Sequence, residues 1–160
     1  FFKSVIQPHL INHFDDIRVV EYQRMSKTQK LYRFIRSVKS IPFANYYFIK
    51  DINSAPCISE KKRDTYKNYN NRIESEKIII VVREIESWYV AGLDERACND
   101  FGIRHAPNTD TLTKEQFNLL IPETYGSRTD FMIEVLKSFS IETAKTKNRS
   151  FQYFCSKLAI

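Results

Sequence analysis

The feature that most limits what this chain can fold into is the run Ile78-Ile79-Ile80-Val81-Val82, five β-branched residues with no polar side chain among them. Such side chains lose rotamer freedom in a helix and pack well on a pleated surface, so residues 77–82 read as a strand. A strand with one wet face alternates apolar and polar residues. An unbroken run is apolar on both faces and belongs to the interior of a sheet covered by helices. The run is also the longest apolar stretch in the sequence, far short of the roughly 20 residues a membrane helix needs. A soluble chain with no membrane partner is expected.

Elements of both periods surround that strand. Phe2, Val5, Ile6 and Leu10 form a helical stripe that Pro8 bends or interrupts. Residues 17–22 (IRVVEY) read as a strand. Over 27–41, Leu31, Phe34, Ile35 and Val38 share one helical face, Lys27, Lys30, Arg33, Arg36 and Lys39 lie elsewhere, and Pro42 ends the helix. Residues 45–53 give another strand, and the lysine-rich stretch 59–72 begins as helix and loosens near Asn68, Asn70 and Asn71. From about residue 110 only helices are expected. Thr113 and Gln116 form a capping box for one ending near Leu120. Ser127 caps another, faced by Phe131, Val135, Leu136 and Phe139, and Phe151, Phe154, Cys155 and Leu158 stripe a third. The expected architecture is α/β: a mostly parallel, Rossmann-like sheet flanked by helices over residues 1–105, then a helical C-terminal cap over 106–160. At 160 residues and 42% hydrophobic, the chain suits one core rather than two independent domains.

Composition excludes several chemistries. Only Gly92, Gly102 and Gly126 are present, so there is neither a Walker loop nor a dinucleotide fingerprint. Cys57, Cys98 and Cys155 lie far apart with no CxxC pair, which argues against a zinc knuckle or a disulfide framework and for a reducing, cytoplasmic setting. Cys57 has no local histidine and reads as a small buried thiol. His9 and His13 lack the glutamate of HExxH and a third ligand, and read as a surface pair. A net charge of +6 and a pI near 9.2 suit an acidic partner such as nucleic acid, although scattered surface lysines give the same total.

Ligands of open α/β sheets bind at the carboxyl ends of strands. One such end carries Asp51 and Asn53, which alternation along a strand would turn to the same side, offering oxygens to one hard cation. The same pair also suits a turn in which each side chain bonds its own backbone. The other end carries Arg83, Glu84 and Glu86. Ile85, Trp88 and Tyr89 recur at helical spacing, so the strand gives way to a helix near Glu84, where the helix dipole favours a carboxylate, and Glu86 points away from Glu84. A capping role for Glu84 fits the same spacing, and Trp88 with Tyr89 reads as core rather than as a base-stacking platform. Two basic clusters, Lys61-Lys62-Arg63 and Lys145, Lys147 and Arg149 ahead of a helix near Ser150, would favour nucleic acid if they flank one groove.

An apolar strand ending in Asp-x-Asp resembles the Toprim pattern of topoisomerases, primases and nucleases related to the overcoming-lysogenization-defect family. More specifically, the stretch FIKDINSAPCISEKK is similar to an uncharacterised Toprim-like family with a cysteine and a lysine helix after the Asp-x-Asp strand. Its Glu-x-Glu-x-Trp segment is matched by Glu84, Glu86 and Trp88, and its Ser-Phe-x-x-Phe helix by Ser150, Phe151 and Phe154. The resemblance spans roughly residues 1–158 by the order of motifs. It implies metal-dependent phosphodiester chemistry on DNA or RNA, in mobile-element or phage defence. Asp51, Glu84 and Glu86 would be catalytic, and Asp51, Asn53 and Glu84 would hold Mg²⁺ or Mn²⁺. Arg83 would clamp phosphate or join an ion pair, with Lys61, Lys62, Arg63, Lys145, Lys147 and Arg149 on the nucleic-acid backbone.

Two departures bear on this. The family's first glutamate would precede a helix like the one that opens this sequence, which does not start on Met, so residue 1 is expected to lie inside a longer protein. Asn53 stands where the pattern has its second aspartate, which removes a negative charge from a hard-cation site. A catalytically weakened module that binds nucleic acid or a partner ATPase, and a structural interaction domain in which Glu84 and Glu86 make ion pairs, are the alternatives.

Overall fold

The computed structural model describes residues 1–22 and 28–160. A π-helical turn, Phe2–Ile6, runs into α1 (Gln7–Leu10), and Pro8, which has no N–H to give to the preceding turn, falls where the helix changes type. There follow α2 (Thr28–Lys39), β1 (Phe48–Asp51), α3 (Ile58–Asn68), a 3₁₀ turn (Ser75–Lys77) and β2 (Ile78–Val81). The remainder is helical: α4 (Glu86–Ala91), α5 (Glu95–Asp100), α6 (Lys114–Leu119), α7 (Arg128–Lys137), α8 (Ile141–Lys147) and α9 (Arg149–Leu158). The fold is mixed α/β, 52% helical, and among the described residues β1 and β2 pair in parallel as a two-stranded sheet.

Contacts divide the chain into two units, Arg18–Ile80 and Phe1–Ile17 with Val81–Ile160. The division does not follow the 105/106 boundary expected from the change in element type. In the first unit, Leu31 and Ile35 of α2 pack with Phe48 of β1, Ile73, and Ile78 and Ile80 of β2. All four residues of β2 are buried, as its lack of polar alternation requires, and each contributes about 1.5–3 kcal/mol by leaving water. β1 begins later than its sequence pattern because the Tyr46 N–H donates to Asn45 Oδ1 (2.8 Å), taking that donor out of any ladder.

No strand forms at residues 17–22. Strand-like composition alone is not sufficient: here the Ile17 carbonyl accepts from Gln7 Nε2 (3.5 Å), Val19 stays 38% exposed and Tyr22 sets its ring against Phe48 of β1 (centroids 4.4 Å). Lys27 lies outside the described residues; the rest of the predicted 27–41 helix is α2 and the turn after it.

The second unit is built around α4, whose six residues are all buried. Trp88 stacks among Phe151 and Phe154 of α9 (ring centroids 5.2 and 5.1 Å) and Phe1 (5.9 Å), while Tyr89 and Val90 join Phe117 of α6 and Phe131 and Val135 of α7. That packing carries α4 to the C-terminal helices. Caps close the helices as their sequences indicate: Thr113 and Gln116 form the capping box of α6, and Ser127 caps α7.

Candidate functional site

Immediately after β2 the backbone turns through Arg83, which has φ +63° and an exposed side chain. A non-glycine residue in the left-handed region costs about 1–2 kcal/mol. The turn is held by the Glu84 carbonyl, which accepts from the Ser87 N–H (3.0 Å) and Ser87 Oγ (2.8 Å). Ile85 is the N-cap of α4, so Glu84 precedes the helix. Its carboxylate serves another helix instead: Oε2 accepts from the Lys114 N–H (2.7 Å) in the first turn of α6, where unpaired amides and the helix dipole both favour an anion.

Glu86, the first residue of α4, is buried and ion-paired with Arg128, the first residue of α7. The Arg128 guanidinium also lies 5.7 Å from the Phe117 ring centroid. The two acids therefore point apart and fasten different helices to the strand–helix junction.

The tryptophan belongs to the same junction. Trp88 Nε1 donates to Ser150 Oγ (2.8 Å), and Ser150 Oγ donates to Asn148 Oδ1 (2.8 Å). Asn148, 1% exposed, is the N-cap of α9 and accepts from the Phe151 N–H (3.0 Å). Its Nδ2 donates to Thr109 Oγ1 (3.0 Å) and Ser87 Oγ (3.3 Å). The Glu-x-Glu-x-Trp segment and the Ser-Phe-x-x-Phe helix are thus one buried, hydrogen-bonded assembly. Sequence reasoning passed over Asn148, Thr109 and Ser87; the legible signal was Asn148 three residues before Phe151, an N-cap spacing. It also passed over Asp110, 5% exposed, which accepts from the Arg149 N–H (2.8 Å) and Arg149 Nε (2.5 Å).

The basic cluster at 145–149 is not a set of free surface cations. Lys145 and Lys147 lie on α8 about 200° apart. Lys145 pairs with Glu142 (2.9 Å), and Lys147 is buried with Nζ donating to the Leu93 carbonyl. Burial lowers the Lys147 pKa below the ordinary lysine value. Arg149 is engaged by Asp110.

In the other unit, Asp51 ends β1, half-buried, while Asn53 is exposed with φ +49° in a turn closed by the Ala55 N–H on the Ile52 carbonyl (3.2 Å). The left-handed turn ends strand alternation before Asn53, so the expected same-side Asp51–Asn53 pair is not formed on a strand. Asparagine suits that conformation. Lys61, Lys62 and Arg63 lie on α3, with Arg63 3.4 Å from Glu60. Lys50 titrates below the ordinary lysine value, through burial first and the Lys61 charge second. Cys57 is exposed, not buried, and its Sγ accepts from the Glu60 N–H (3.4 Å) as the N-cap of α3.

Among the described residues, no group of three or more His, Cys, Asp and Glu side chains lies together as a metal site. Glu84 and Glu86 are each held by another helix, and Asn53 stands in a left-handed turn. No helix among the described residues is long and apolar enough to cross a membrane. Compared with protein-family models, curated proteins and solved structures, the chain matches none.

Proposed function

We propose that this chain is a Toprim-like module directed at nucleic acid, which it binds without assembling a metal centre from Asp51, Asn53 and Glu84. The observation that carries this reading is the distribution of charge. Residues 18–80 hold 14 Lys and Arg against 6 Asp and Glu, a net +8, whereas the rest of the chain holds 11 against 13, a net −2. The modest total of +6 conceals a strongly basic unit, and a local excess of this kind attracts a polyanion and speeds its capture. The engagement of Glu84 by α6 and of Glu86 by Arg128 supports binding over catalysis.

Metal-dependent cleavage of a phosphodiester is the second reading. Asp51 at the end of a strand paired in parallel with β2 favours it, because the carboxyl edge of such a sheet is where ligands collect. One experiment separates the two: nucleic-acid binding and cleavage, measured with Mg²⁺, with Mn²⁺ and with EDTA, for the protein and for Asp51→Asn. Binding that persists in EDTA and in Asp51→Asn, with no cleavage, is expected. Cleavage that needs metal and disappears in Asp51→Asn would overturn the first reading in favour of the second.

A further inference from the structure

α2 has no acidic residue in its twelve positions. Its apolar side is turned inward through Leu31 and Ile35, and Lys30, Arg33 and Arg36 stand exposed three residues apart. Residues at that spacing are neighbours on a helix surface, so the three cations form one row rather than a scatter. An ordinary solvated helix face intersperses the two signs at three- and four-residue spacing. Here the row repels itself, and none of the three makes an ion pair among the described residues.

The surroundings add charge to the row. The Arg72 guanidinium lies 4.3 Å from the ring centroid of Tyr32, on α2 itself, and Arg72 is exposed. In a unit short of carboxylates, cations take tyrosine faces in their place: Lys77 lies over Tyr47 at 5.5 Å and Lys50 over Tyr69 at 5.9 Å. Lys39, at the end of α2, is held by Glu74 and does not extend the row. From Lys30 to Arg36 the helix rises about 9 Å at 1.5 Å per residue. Three successive phosphates on one strand span about 6.8 Å, two steps of about 3.4 Å, and the long side chains of the row take up the difference of about 2 Å. Two of the three are arginines, whose planar forks match phosphate oxygens two at a time.

We infer that this face, Lys30, Arg33 and Arg36 with Arg72 beside them, is the surface on which the phosphate backbone of nucleic acid is held. The inference rests on the reading of the chain as directed at nucleic acid, and moves the contact away from residues 145–149 onto α2. Sequence-independent binding follows, because phosphates carry no base identity.

The test is a salt series with a fluorescein-labelled mixed-sequence DNA strand, the same strand in RNA, and the DNA duplex, each titrated with the protein, Arg33→Gln/Arg36→Gln, Lys30→Gln and Lys137→Gln. Far-UV circular dichroism checks that each variant is folded. Two lost phosphate contacts should flatten the slope of log affinity against log salt by about 1.4 on a single strand and about 1.8 on the duplex. Lys30→Gln should give half of that, and Lys137→Gln, in the other unit, no change. Unchanged slopes in folded Arg33→Gln/Arg36→Gln, with the parent binding, would overturn the α2 surface and leave the nucleic-acid reading standing. No salt-dependent binding of any probe by the parent would overturn both. Competition by poly-L-glutamate as strong as by the DNA strand would also overturn the inference, by making the face a site for acidic protein.

Discussion

Removal of the Asn148 side chain tests the junction that joins α4 to α9. Asn148→Ala deletes the N-cap of α9, a loss of about 1 kcal/mol. It also strands the buried Ser150 hydroxyl, whose acceptor is Asn148 Oδ1, and removes the donor that faces Thr109 Oγ1 and Ser87 Oγ. A buried polar group left unpaired costs about 1–3 kcal/mol, so the whole change should be about 3 kcal/mol. With a urea m-value of about 2 kcal/mol/M, the midpoint should fall by about 1.5 M. Trp88, the only tryptophan, donates to Ser150 inside the same network, so its fluorescence follows the transition directly. Asn148→Asp is the discriminating partner. Aspartate caps a helix as well as asparagine does. Here Thr109 could turn its hydroxyl to donate to the carboxylate, but Ser87 Oγ, whose proton already goes to the Glu84 carbonyl, would face an anion with no N–H to give. Asn148→Asp should therefore lose at least about 1 kcal/mol, the lower cost of a mispaired buried group. An aspartate variant as stable as the parent, or an alanine variant that loses only the cap energy, would refute the network as a source of stability.

Gly92→Ala should destabilise by about 1–3 kcal/mol, the usual cost of overpacking, because a Cβ at Gly92 would collide with the Phe139 ring; urea unfolding measures it, and no loss would mean that the ring moves freely. In the native protein one thiol of three, Cys57, should react quickly with iodoacetamide, since Cys98 and Cys155 are buried and burial pushes the Cys155 thiol up to about 11; peptide mapping identifies the labelled residue, and labelling of Cys155 at a matching rate would contradict the burial. Lys147, with its pKa lowered in the folded state, binds its proton less tightly there than when unfolded, so its penalty is fully present below the folded value and is relieved as pH rises toward 10.5. The stability of the parent relative to Lys147→Met should rise over that window, and a flat difference in urea midpoint across it would place the ammonium in solvent.

Local rules made much of the fold legible. β2 was readable because five successive β-branched residues cannot alternate, and the caps at Thr113 and Ser127 because a hydroxyl three residues before its amide is a short-range bond. α2 was readable as an amphipathic stripe. The charge excess of residues 18–80 is likewise written in the sequence, but the net charge of the whole chain hides it until contacts divide the chain at Arg18 and Ile80.

Tertiary structure decided the rest, because it selects partners that local pattern does not encode. Residues 17–22 have the composition of a strand and form none: the Ile17 carbonyl goes to Gln7, and the Tyr22 ring goes to Phe48. Lys147 looks like a surface cation beside Lys145 until α8 turns the two about 200° apart and the Leu93 carbonyl receives it. Glu84 and Glu86 announced themselves as acids at a strand end. Only the packing of α6 and α7 determined that one would accept an amide N–H and the other a guanidinium, because those partners lie 30 and 42 residues further along the chain. What the sequence fixes alone is each residue's chemistry and its near neighbours; whether a carboxylate is left for a ligand depends on which distant donor reaches it first in the folded chain.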